Sequence, residues 1–438
     1  MHNHPIYFLV TLWGEKHREY FYSLCAPTLL APNNVPILKD RPGCKIVIAT
    51  TVEDWDDLKN RPLIKRLGEY IEFFHIDIGL PGDTPPLLHA AKGLRLGCRK
   101  AYEDRAVAGW LAPDLLLSDG LVAMAVGSID AGKKVVLRPV LRFAMEPVLE
   151  SLAAAGSLRP DQPMALSAQS LSAIAVNSLH TDLLRYDFDC EEFGDAPAWT
   201  FWRVPGRNGF ILYTVSWAPL FADVSAIPDF QDRSLDSSAA GGLLDQVDFG
   251  HLQGTEHVTL LNDSYNGMVM SLTPSSETVL DGTGARPFNR HRDRFGLGVA
   301  RRLSDIHRFH YGSGLDPLQR RLHAVPVFVH GGPIDDAYQS VVAKTQLTMQ
   351  HATAPGSSSA VRQYALLISR TAKDLACGVR SSFPTFDYRA LIARTHRPIA
   401  YLKIPFKISA DIFAGRKSIR YVAGRLLKAA GIGRSSNG

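Results

Sequence analysis

Short apolar runs alternate with amphipathic segments through the first 140 residues, and no other feature constrains the possible folds as strongly. The runs are rich in β-branched and aromatic residues and have the length of strands. They occupy residues 6–14, 45–51, 71–78, 106–118 and 133–142. The intervening segments have helical spacing, and Pro62 is expected to interrupt the second of them. This alternation predicts an α/β fold whose mostly parallel sheet is covered by helices on both faces.

Polar residues gather after the ends of the predicted strands. Ligands of open parallel sheets bind beyond the carboxyl ends of the strands, so these residues form the candidate site. The loops after the first two strands contain Thr11, Trp13, Glu15, Thr50, Thr51 and Asp54, and the end of the fourth run contains Asp114 and Asp119. The helix before the fourth run starts at the same edge with His89 and Lys92 on a basic face. These two side chains are candidates for contact with phosphate oxygens.

The positive charge of the chain is concentrated at its end. Between residues 397 and 438 there are nine Lys or Arg and one acid, so this tail has a charge of +8. The net charge of the whole chain is +5, so the remaining residues together carry about −3. A near-neutral body does not favour nucleic acid as a partner. The basic tail is consistent with contact to an anionic membrane surface, and equally with a solvated terminus.

The cysteine content and the hydropathy of the sequence indicate the expected cellular compartment. The five cysteines are scattered and odd in number, which argues against a disulfide framework and against a structural zinc site. No uninterrupted apolar stretch reaches about 18 residues, and the first residues lack the pattern of a signal peptide. We therefore expect a cytoplasmic protein, with peripheral attachment to the inner face of a membrane as an option for the tail.

Several common catalytic motifs are absent from the sequence. It contains no G-x-x-x-x-G-K-[ST] phosphate loop, and no G-x-G-x-x-G follows the first predicted strand. It also lacks a G-x-S-x-G nucleophile elbow and an H-E-x-x-H zinc motif. P-loop nucleotide hydrolysis, dinucleotide binding, α/β-type hydrolysis and zinc proteolysis are accordingly unsupported.

The strand-end segments resemble a known family. The order of "FLVTLWGE", "KIVIATT", the helix from His89 and "AGWLAPDLLLSDG" is similar to the nucleotide-sugar-binding half of GT-A glycosyltransferases. From about Tyr7 to Thr273 the chain also resembles poorly characterised bacterial proteins of that architecture. The resemblance implies a nucleotide-sugar donor, with base and ribose held by the loops after the first two strands.

The resemblance also implies a divalent cation, Mn²⁺ or Mg²⁺, held on the donor diphosphate by an Asp-x-Asp motif. Here the sequence departs from the pattern, because Asp114 and Asp119 are five residues apart. An offset of five places two side chains on opposite faces of a strand, so they can share one metal only across a bend. Asp119 is equally consistent with the N-cap of the next helix. Fixed cations are the alternative to a metal, and Lys92, Arg138 and Arg142 are the candidates.

Sugar transfer with inversion needs a general base for the acceptor hydroxyl. Asp263, at the end of a predicted strand, is the first candidate, and Asp223 is the second. The leading hypothesis is a glycosyltransferase that acts on a cell-envelope or polysaccharide acceptor, either a glycan or a lipid-linked molecule. A catalytically degenerate protein that binds a sugar or a partner is the main alternative. Nucleotidyl transfer ranks last, because the glycine-rich loop it needs is absent after the first strand.

Three regions are expected along the chain. Residues 1–285 form the GT-A-like domain that binds donor and acceptor, and residues 286–352 form a helical extension. Residues 353–438 form a linker and the basic helical tail, with "TAPGSSSA" as the linker sequence.

Overall fold

Each of the five apolar runs contains at least one strand in the computed structural model. It describes residues 4–190, 192–194, 199–214, 217–227, 255–277, 285–287, 322 and 324–353. The strands, in chain order, are β1 (Ile6–Thr11), β2 (Lys45–Thr50), β3 (Glu72–Asp77), β4 (Val107–Leu111), β5 (Leu115–Leu117), β6 (Val135–Pro139), β7 (Arg142–Ala144), β8 (Glu192–Gly194), β9 (Trp199–Arg203), β10 (Gly209–Thr214), β11 (Trp217–Asp223), β12 (Val258–Leu260), β13 (Val269–Thr273), β14 (Ala285–Pro287) and β15 (Val327–His330).

The main sheet has seven strands in the order β12-β6-β11-β4-β1-β2-β3. β1 pairs in parallel with β2 and β4, and β2 pairs in parallel with β3. β11 runs antiparallel between β4 and β6, and β12 is parallel to β6. All strands of this sheet except β11 therefore point the same way, and the predicted α/β fold with a mostly parallel sheet is confirmed.

The chain reverses its direction of travel across the sheet next to β1. After β1 it moves outward to β2 and then β3, and it returns to place β4 on the other side of β1. The segments after β1 and β4 pack together on one face of the sheet, whereas the helix that leads into β4 packs on the other face. In sheets of this class, the crevice expected to bind a ligand lies where the two layers part, at the carboxyl edge beside β1.

Helices connect the strands and cover the sheet. In chain order they are α1 (Gly14–Tyr20), α2 (Ala26–Leu29), α3 (Val52–Leu58), α4 (Pro62–Leu67), α5 (Pro86–Glu103), α6 (Leu121–Asp130), α7 (Met145–Ala154), α8 (Ala168–Ala175), α9 (Thr181–Leu184) and α10 (Asp336–Thr353), with a π-helical turn at Phe21–Cys25 and 3₁₀ turns at Val35–Leu38, Val224–Ala226 and Thr255–His257. Pro62 starts α4 at its first turn, so the expected interruption after α3 is confirmed.

Two apolar layers lie on opposite faces of the main sheet. On one face, Cys98 and Ala101 of α5 pack with Leu9 of β1. On the other face, residues of α6 such as Val122 pack with Phe8. Successive residues of a strand point to opposite faces, which is why the adjacent Phe8 and Leu9 serve different layers.

Three smaller sheets complete the described part of the chain. They have the orders β15-β10-β9, β5-β13-β7 and β14-β8. The second of them matters for the site, because β13 pairs antiparallel with β5 and parallel with β7. It thereby joins the segment after β4 to the segment after β6.

The part of the chain predicted as a helical extension contains both kinds of element. Val327–His330 is a strand that pairs with β10, and Asp336–Thr353 is a helix as the sequence predicted. The helix expected at about 291–312, the linker beyond residue 353 and the basic tail lie outside the described residues. Within the described residues, no helix has both the length and the apolar character needed to cross a membrane.

Candidate functional site

An aromatic cluster lies in the crevice between the loop after β1 and the start of α5. The Trp13 ring centroid lies 4.8 Å from that of His89, with perpendicular planes, and 5.9 Å from that of His17. His89 is 3% exposed, whereas Trp13 is half-buried. Trp13 therefore presents part of its indole at the opening, supported from behind by the two imidazoles. A half-exposed indole held at a fixed angle can stack on a planar ligand group.

The floor of this crevice is the carboxyl end of β1 and β2. Thr11 and Thr50 are buried there, and neither Oγ1 atom has a hydrogen-bond partner. α5 lies directly against them because it has Gly93 at the contact, where a Cβ atom would be 2.5 Å from the Thr11 Oγ1. The Thr11 hydroxyl is thus covered by α5, and neither threonine is exposed to a ligand in this structure.

His89 and Lys92 reach the predicted edge but bind the protein itself. The His89 Nε2 atom lies 3.2 Å from the Gly79 carbonyl oxygen, and the Lys92 Nζ atom donates to the Ile78 carbonyl oxygen at 3.0 Å. Both contacts fix the backbone of the loop that follows β3. In this arrangement the two side chains shape the edge of the crevice instead of offering unpaired donors to a ligand.

Thr51 and Asp54 act at the start of two helices. The Thr51 Oγ1 atom accepts from the Asp54 N–H at 3.2 Å and caps α3. The Asp54 carboxylate accepts from the Gly14 N–H at 2.7 Å and pairs with Arg18, which fixes the start of α1 against α3. Glu15 is exposed in the first turn of α1. The oxygens of Asp54 are therefore already engaged, and only Glu15 faces solvent.

Asp114 stands at a corner between two sheets. The run 106–118 was expected to be one strand, but it breaks after Leu111 and resumes at Leu115 in a different sheet. Pro113 has no N–H to continue the ladder, and the Leu115 N–H closes a turn onto the Ala112 carbonyl at 3.2 Å. The Asp114 Oδ2 atom accepts from the Ser271 hydroxyl at 2.7 Å. This turn leaves the half-buried carboxylate at the mouth of the crevice.

Asp119 has a separate role. Its Oδ1 atom accepts from the Asn33 N–H at 2.8 Å and its Oδ2 atom from the Asn33 Nδ2 at 3.0 Å. It does not cap α6, whose N-cap is Gly120 with φ of 86°, a conformation that glycine adopts without strain. Asp119 therefore orders the loop around Asn33.

The residues do not fit the metal site that the family resemblance implies. Strand β5 separates Asp114 from Asp119, and both oxygens of Asp119 are occupied by Asn33. Across the residues that the structure describes, no three His, Cys, Asp or Glu side chains are grouped so that they could hold a metal ion. Hard divalent cations require several oxygen ligands at one point, and Asp114 supplies one carboxylate.

Arg138 has two buried hydrogen-bond donors without a partner. It lies at the carboxyl end of β6, and its Nε and Nη1 atoms are buried with no hydrogen-bond partner. Burial lowers the pKa of its guanidinium to about 10, and the negative charge of Asp114 opposes that shift. The other two candidate cations differ, since Lys92 binds the Ile78 carbonyl and Arg142 donates to the Thr273 hydroxyl at 3.3 Å.

Arg138 lines a small pocket of about 20 Å³ that is partly open to solvent. The rest of its lining is mainly apolar: Pro139, Leu141, Leu261, Ser264, Gly267, Met268, Val269, Val327, Phe328 and Val329. An apolar wall makes an unpaired charge costly, because the guanidinium has lost its water without gaining a full set of acceptors.

Asp263 and His330 form an ion pair beside this pocket. The His330 Nε2 atom lies 2.9 Å from the Asp263 Oδ1, and the His330 Nδ1 atom contacts the Gly332 carbonyl oxygen. Burial alone would lower the pKa of His330, but its bonds to Asp263 and Gly332 outweigh that and raise the pKa. Burial alone would raise the pKa of Asp263, but the bonds from His330 and the Tyr265 N–H lower it.

Asp263 keeps one oxygen available. Both the His330 ring and the Tyr265 N–H, at 2.8 Å, bind its Oδ1 atom. The side chain is 27% exposed, and its Oδ2 atom has no hydrogen-bond partner among the described residues. β12 is parallel to β6, so Asp263 emerges at the same edge of the sheet as Arg138.

Asp223 lies at the other edge of the sheet. It ends the antiparallel strand β11 and pairs with Val107, the first residue of β4. Its carboxylate binds the Lys134 Nζ at 2.8 Å and the Ser225 hydroxyl at 2.5 Å. The structure therefore brings Thr11, Trp13, Asp114, Arg138 and Asp263 to one edge and leaves Asp223 at the opposite one.

The sequence did not single out two features of this edge. Arg138 appeared only as one of three possible cations, and His330 was not considered. A signal for His330 exists, because it ends the apolar run "VPVFVH" and so occupies a strand end. The burial of the Arg138 nitrogens has no local signal, since the neighbouring strand and most of the pocket lining come from segments 80 or more residues later.

Comparison with known proteins gives no family for this chain. No protein-family model matches it, and no curated protein sequence does either. The functional interpretation therefore depends on the geometry described above.

Proposed function

We propose that this protein transfers a sugar from a nucleotide-sugar donor to an acceptor hydroxyl, with a glycan or lipid-linked cell-envelope molecule as acceptor. The observation that carries the proposal is that Trp13, Asp114 and Arg138 lie along one carboxyl edge of the main sheet, with Asp114 close enough to Arg138 to influence its charge. An aromatic face, a carboxylate and a buried cation suit the three parts of such a donor: base, sugar hydroxyls and diphosphate. The resemblance to GT-A glycosyltransferases supports the same assignment.

The donor lies across the crevice in this proposal. Trp13 stacks on the base, where the rigid contact with His89 holds the indole in place. Asp114 accepts hydrogen bonds from sugar hydroxyls, which carboxylates bind well without further charge. The proposal needs no contribution from Asp223.

The chemical step requires a base and a way to stabilise the leaving group. The acceptor hydroxyl oxygen attacks the anomeric carbon, the bond from that carbon to the diphosphate breaks, and the hydroxyl proton passes to the Asp263 Oδ2 atom. Because the pKa of Asp263 is lowered, it is ionised at neutral pH and accepts the proton only as the attacking oxygen becomes acidic. The nucleoside diphosphate leaves with its added charge facing fixed cations.

Calorimetric titration with a panel of nucleoside diphosphates, with EDTA or with Mn²⁺, tests the donor site. We expect at least one to bind, and Trp13→Ala to weaken it by about tenfold, as loss of one stacking contact predicts. Trp202→Ala is the matched control, because Trp202 stacks on Phe188 away from the crevice. Absence of binding by every nucleotide under both conditions would refute the proposal.

A binding protein without turnover is the second candidate, favoured by the missing carboxylate pair around Asp114 and Asp119. The two candidates differ in one measurement. A glycosyltransferase hydrolyses its donor slowly when no acceptor is present, and Asp263→Asn should abolish the released sugar while leaving nucleotide affinity unchanged. A protein that binds the donor and never releases sugar, even with envelope extracts as acceptor, fits the second candidate.

A further inference from the structure

The guanidinium of Arg138 is difficult to explain as a structural element. The residue is half-buried near the end of a strand, its buried Nε and Nη1 atoms make no hydrogen bond, and it lines a pocket with mainly apolar walls. Structural arginines in protein interiors are normally held by carboxylates or carbonyls that satisfy their five donors. Here the nearest opposing charge is Asp114, which influences Arg138 but is not in ion-pair contact with it.

The surroundings of Arg138 indicate what is missing. Besides Arg138, the pocket lining has one polar side chain, Ser264, whose hydroxyl accepts from the His330 backbone N–H at 3.3 Å. The unused Nε–H and Nη1–H donors point to different sides of the guanidinium, so each can donate to a separate acceptor oxygen. Phosphoryl oxygens provide such acceptors together with the compensating charge.

We infer that Arg138 is the binding site for a phosphoryl group of the ligand and that it takes this group without a divalent cation. The inference deepens the proposed function and rests on it for the ligand's identity, the diphosphate of a nucleotide sugar. The same chemistry would also bind an anionic group on the acceptor. The failure of Asp114 and Asp119 to form a metal site is the second, independent observation that supports it.

Removing the charge of Asp114 should have opposite effects on diphosphate affinity, depending on whether a metal ion or Arg138 binds the diphosphate. If a metal held by Asp114 bound the diphosphate, Asp114→Asn would abolish binding. If Arg138 binds the diphosphate directly, Asp114 is a like charge near the anion, and Asp114→Asn makes phosphate binding tighter by a few-fold. The Ser271 hydroxyl can still donate to the Asn oxygen, so the corner itself is retained.

The experiment is calorimetric titration of pyrophosphate into the full chain in EDTA. We expect pyrophosphate to bind, Arg138→Met to weaken it at least about tenfold, and Asp114→Asn to tighten it. Arg142→Met is the matched control, because Arg142 follows four residues later and already donates to Thr273. Thermal unfolding of the ligand-free variants is the second readout: Arg138→Met should unfold at a higher temperature than the parent, since it removes an unpaired buried charge.

The outcomes separate the inference from the proposed function. Pyrophosphate that fails to bind in EDTA, or that binds Arg138→Met unchanged, overturns the anion site. A nucleoside diphosphate that needs Mn²⁺ and is lost in Asp114→Asn also overturns it, while leaving the glycosyltransferase proposal intact. Arg138-dependent binding of pyrophosphate with no binding of any nucleoside diphosphate upholds the anion site and refutes the donor proposal. Loss of nucleotide binding in both Trp13→Ala and Arg138→Met, with loss of pyrophosphate only in the latter, supports both.

Discussion

At the scale of single residues, the protonation of His330 follows from its partners. A backbone carbonyl and a carboxylate can only accept hydrogen bonds, so both ring nitrogens of His330 must carry protons for both contacts to form. The side chain is 2% exposed, and the positive charge is therefore held inside the protein by Asp263. The Tyr265 ring, stacked 4.0 Å from the imidazole, closes the pair from one side.

This pair predicts a defined pH dependence of stability. The folded-state pKa of His330 is raised above 6.5, so its contribution is fully present below about pH 6.5 and is lost as the pH rises through the folded-state pKa. The folded-state pKa of Asp263 is lowered below 3.8, so its contribution is present above that pH and is lost on further acidification. Urea unfolding between pH 5.5 and 8.5 should show the free energy of unfolding falling with pH, by about 1.4 kcal/mol for each pKa unit of difference between folded and unfolded chain.

His330→Gln should flatten this slope above pH 6.5, because glutamine does not titrate. His257→Gln is the control, since His257 is 43% exposed and lies outside the pocket. A slope that stays unchanged in His330→Gln would show that other groups cause it.

At the scale of elements, the position of α5 depends on two of its glycines. A Cβ atom on Gly93 would lie 2.5 Å from the Thr11 Oγ1 and 2.8 Å from the Ala49 Cβ, and one on Gly97 would lie 3.2 Å from Leu9. These positions let the helix approach β1 and β2 more closely than a side chain would permit. The placement of His89 behind Trp13 follows from that close approach.

Gly93→Ala should therefore separate α5 from the sheet. We expect a loss of about 1–3 kcal/mol in the free energy of unfolding, as for other overpacked contacts, together with weaker nucleotide binding. Gly127→Ala in α6 is the matched control, because nothing lies within 4 Å of the added Cβ. That variant should gain about 0.5–1 kcal/mol from helix propensity. Equal stability of the two variants in urea unfolding would contradict the packing argument.

The elements also show how far the sequence could predict this fold. The helix break at Pro62 and the helix from Pro86 follow from local rules, and both are present in the structure. The break in the run 106–118 was missed, although Pro113 was the signal, because the apolar residues on both sides suit one strand equally well. Which sheet Leu115–Leu117 joins is decided by pairing with Val269–Thr273, more than 150 residues away, and no local pattern encodes that choice.

At the scale of the whole molecule, the two edges of the main sheet have different roles. The carboxyl edge collects the loops of the candidate site, and the opposite edge is closed by structural pairs such as Lys134 with Asp223. The side chain of Asp223 is 5% exposed, and burial would raise its pKa, but Lys134 and Ser225 lower it. The antiparallel direction of β11 is the reason that Asp223 lies there, and strand direction could not be inferred from the apolar run 209–224.

Asp223→Asn should consequently lower the stability of the protein without changing its activity. We expect turnover and nucleotide affinity equal to the parent, and a free energy of unfolding lower by about 1 kcal/mol at pH 7, since Lys134 is partly exposed and solvent screens the pair. This difference should vanish as the pH falls through the folded-state pKa of Asp223, where the parent also loses its charge. Donor hydrolysis at pH 7 and urea unfolding at pH 7 and at a series of pH values below 3.8 measure the two quantities, and a loss of turnover would place Asp223 in the mechanism after all.

The small sheet β5-β13-β7 has a consequence for how the site can vary. Its central strand, Val269–Thr273, pairs on one side with the strand that follows Asp114 and on the other side with the strand that follows Arg138. The distance between Asp114 and Arg138 therefore depends on a strand that contains neither residue. A change in the length or twist of that strand would alter the distance between the carboxylate and the guanidinium. It would thereby change the size of the ligand group that fits between them, without replacing any residue that contacts the ligand.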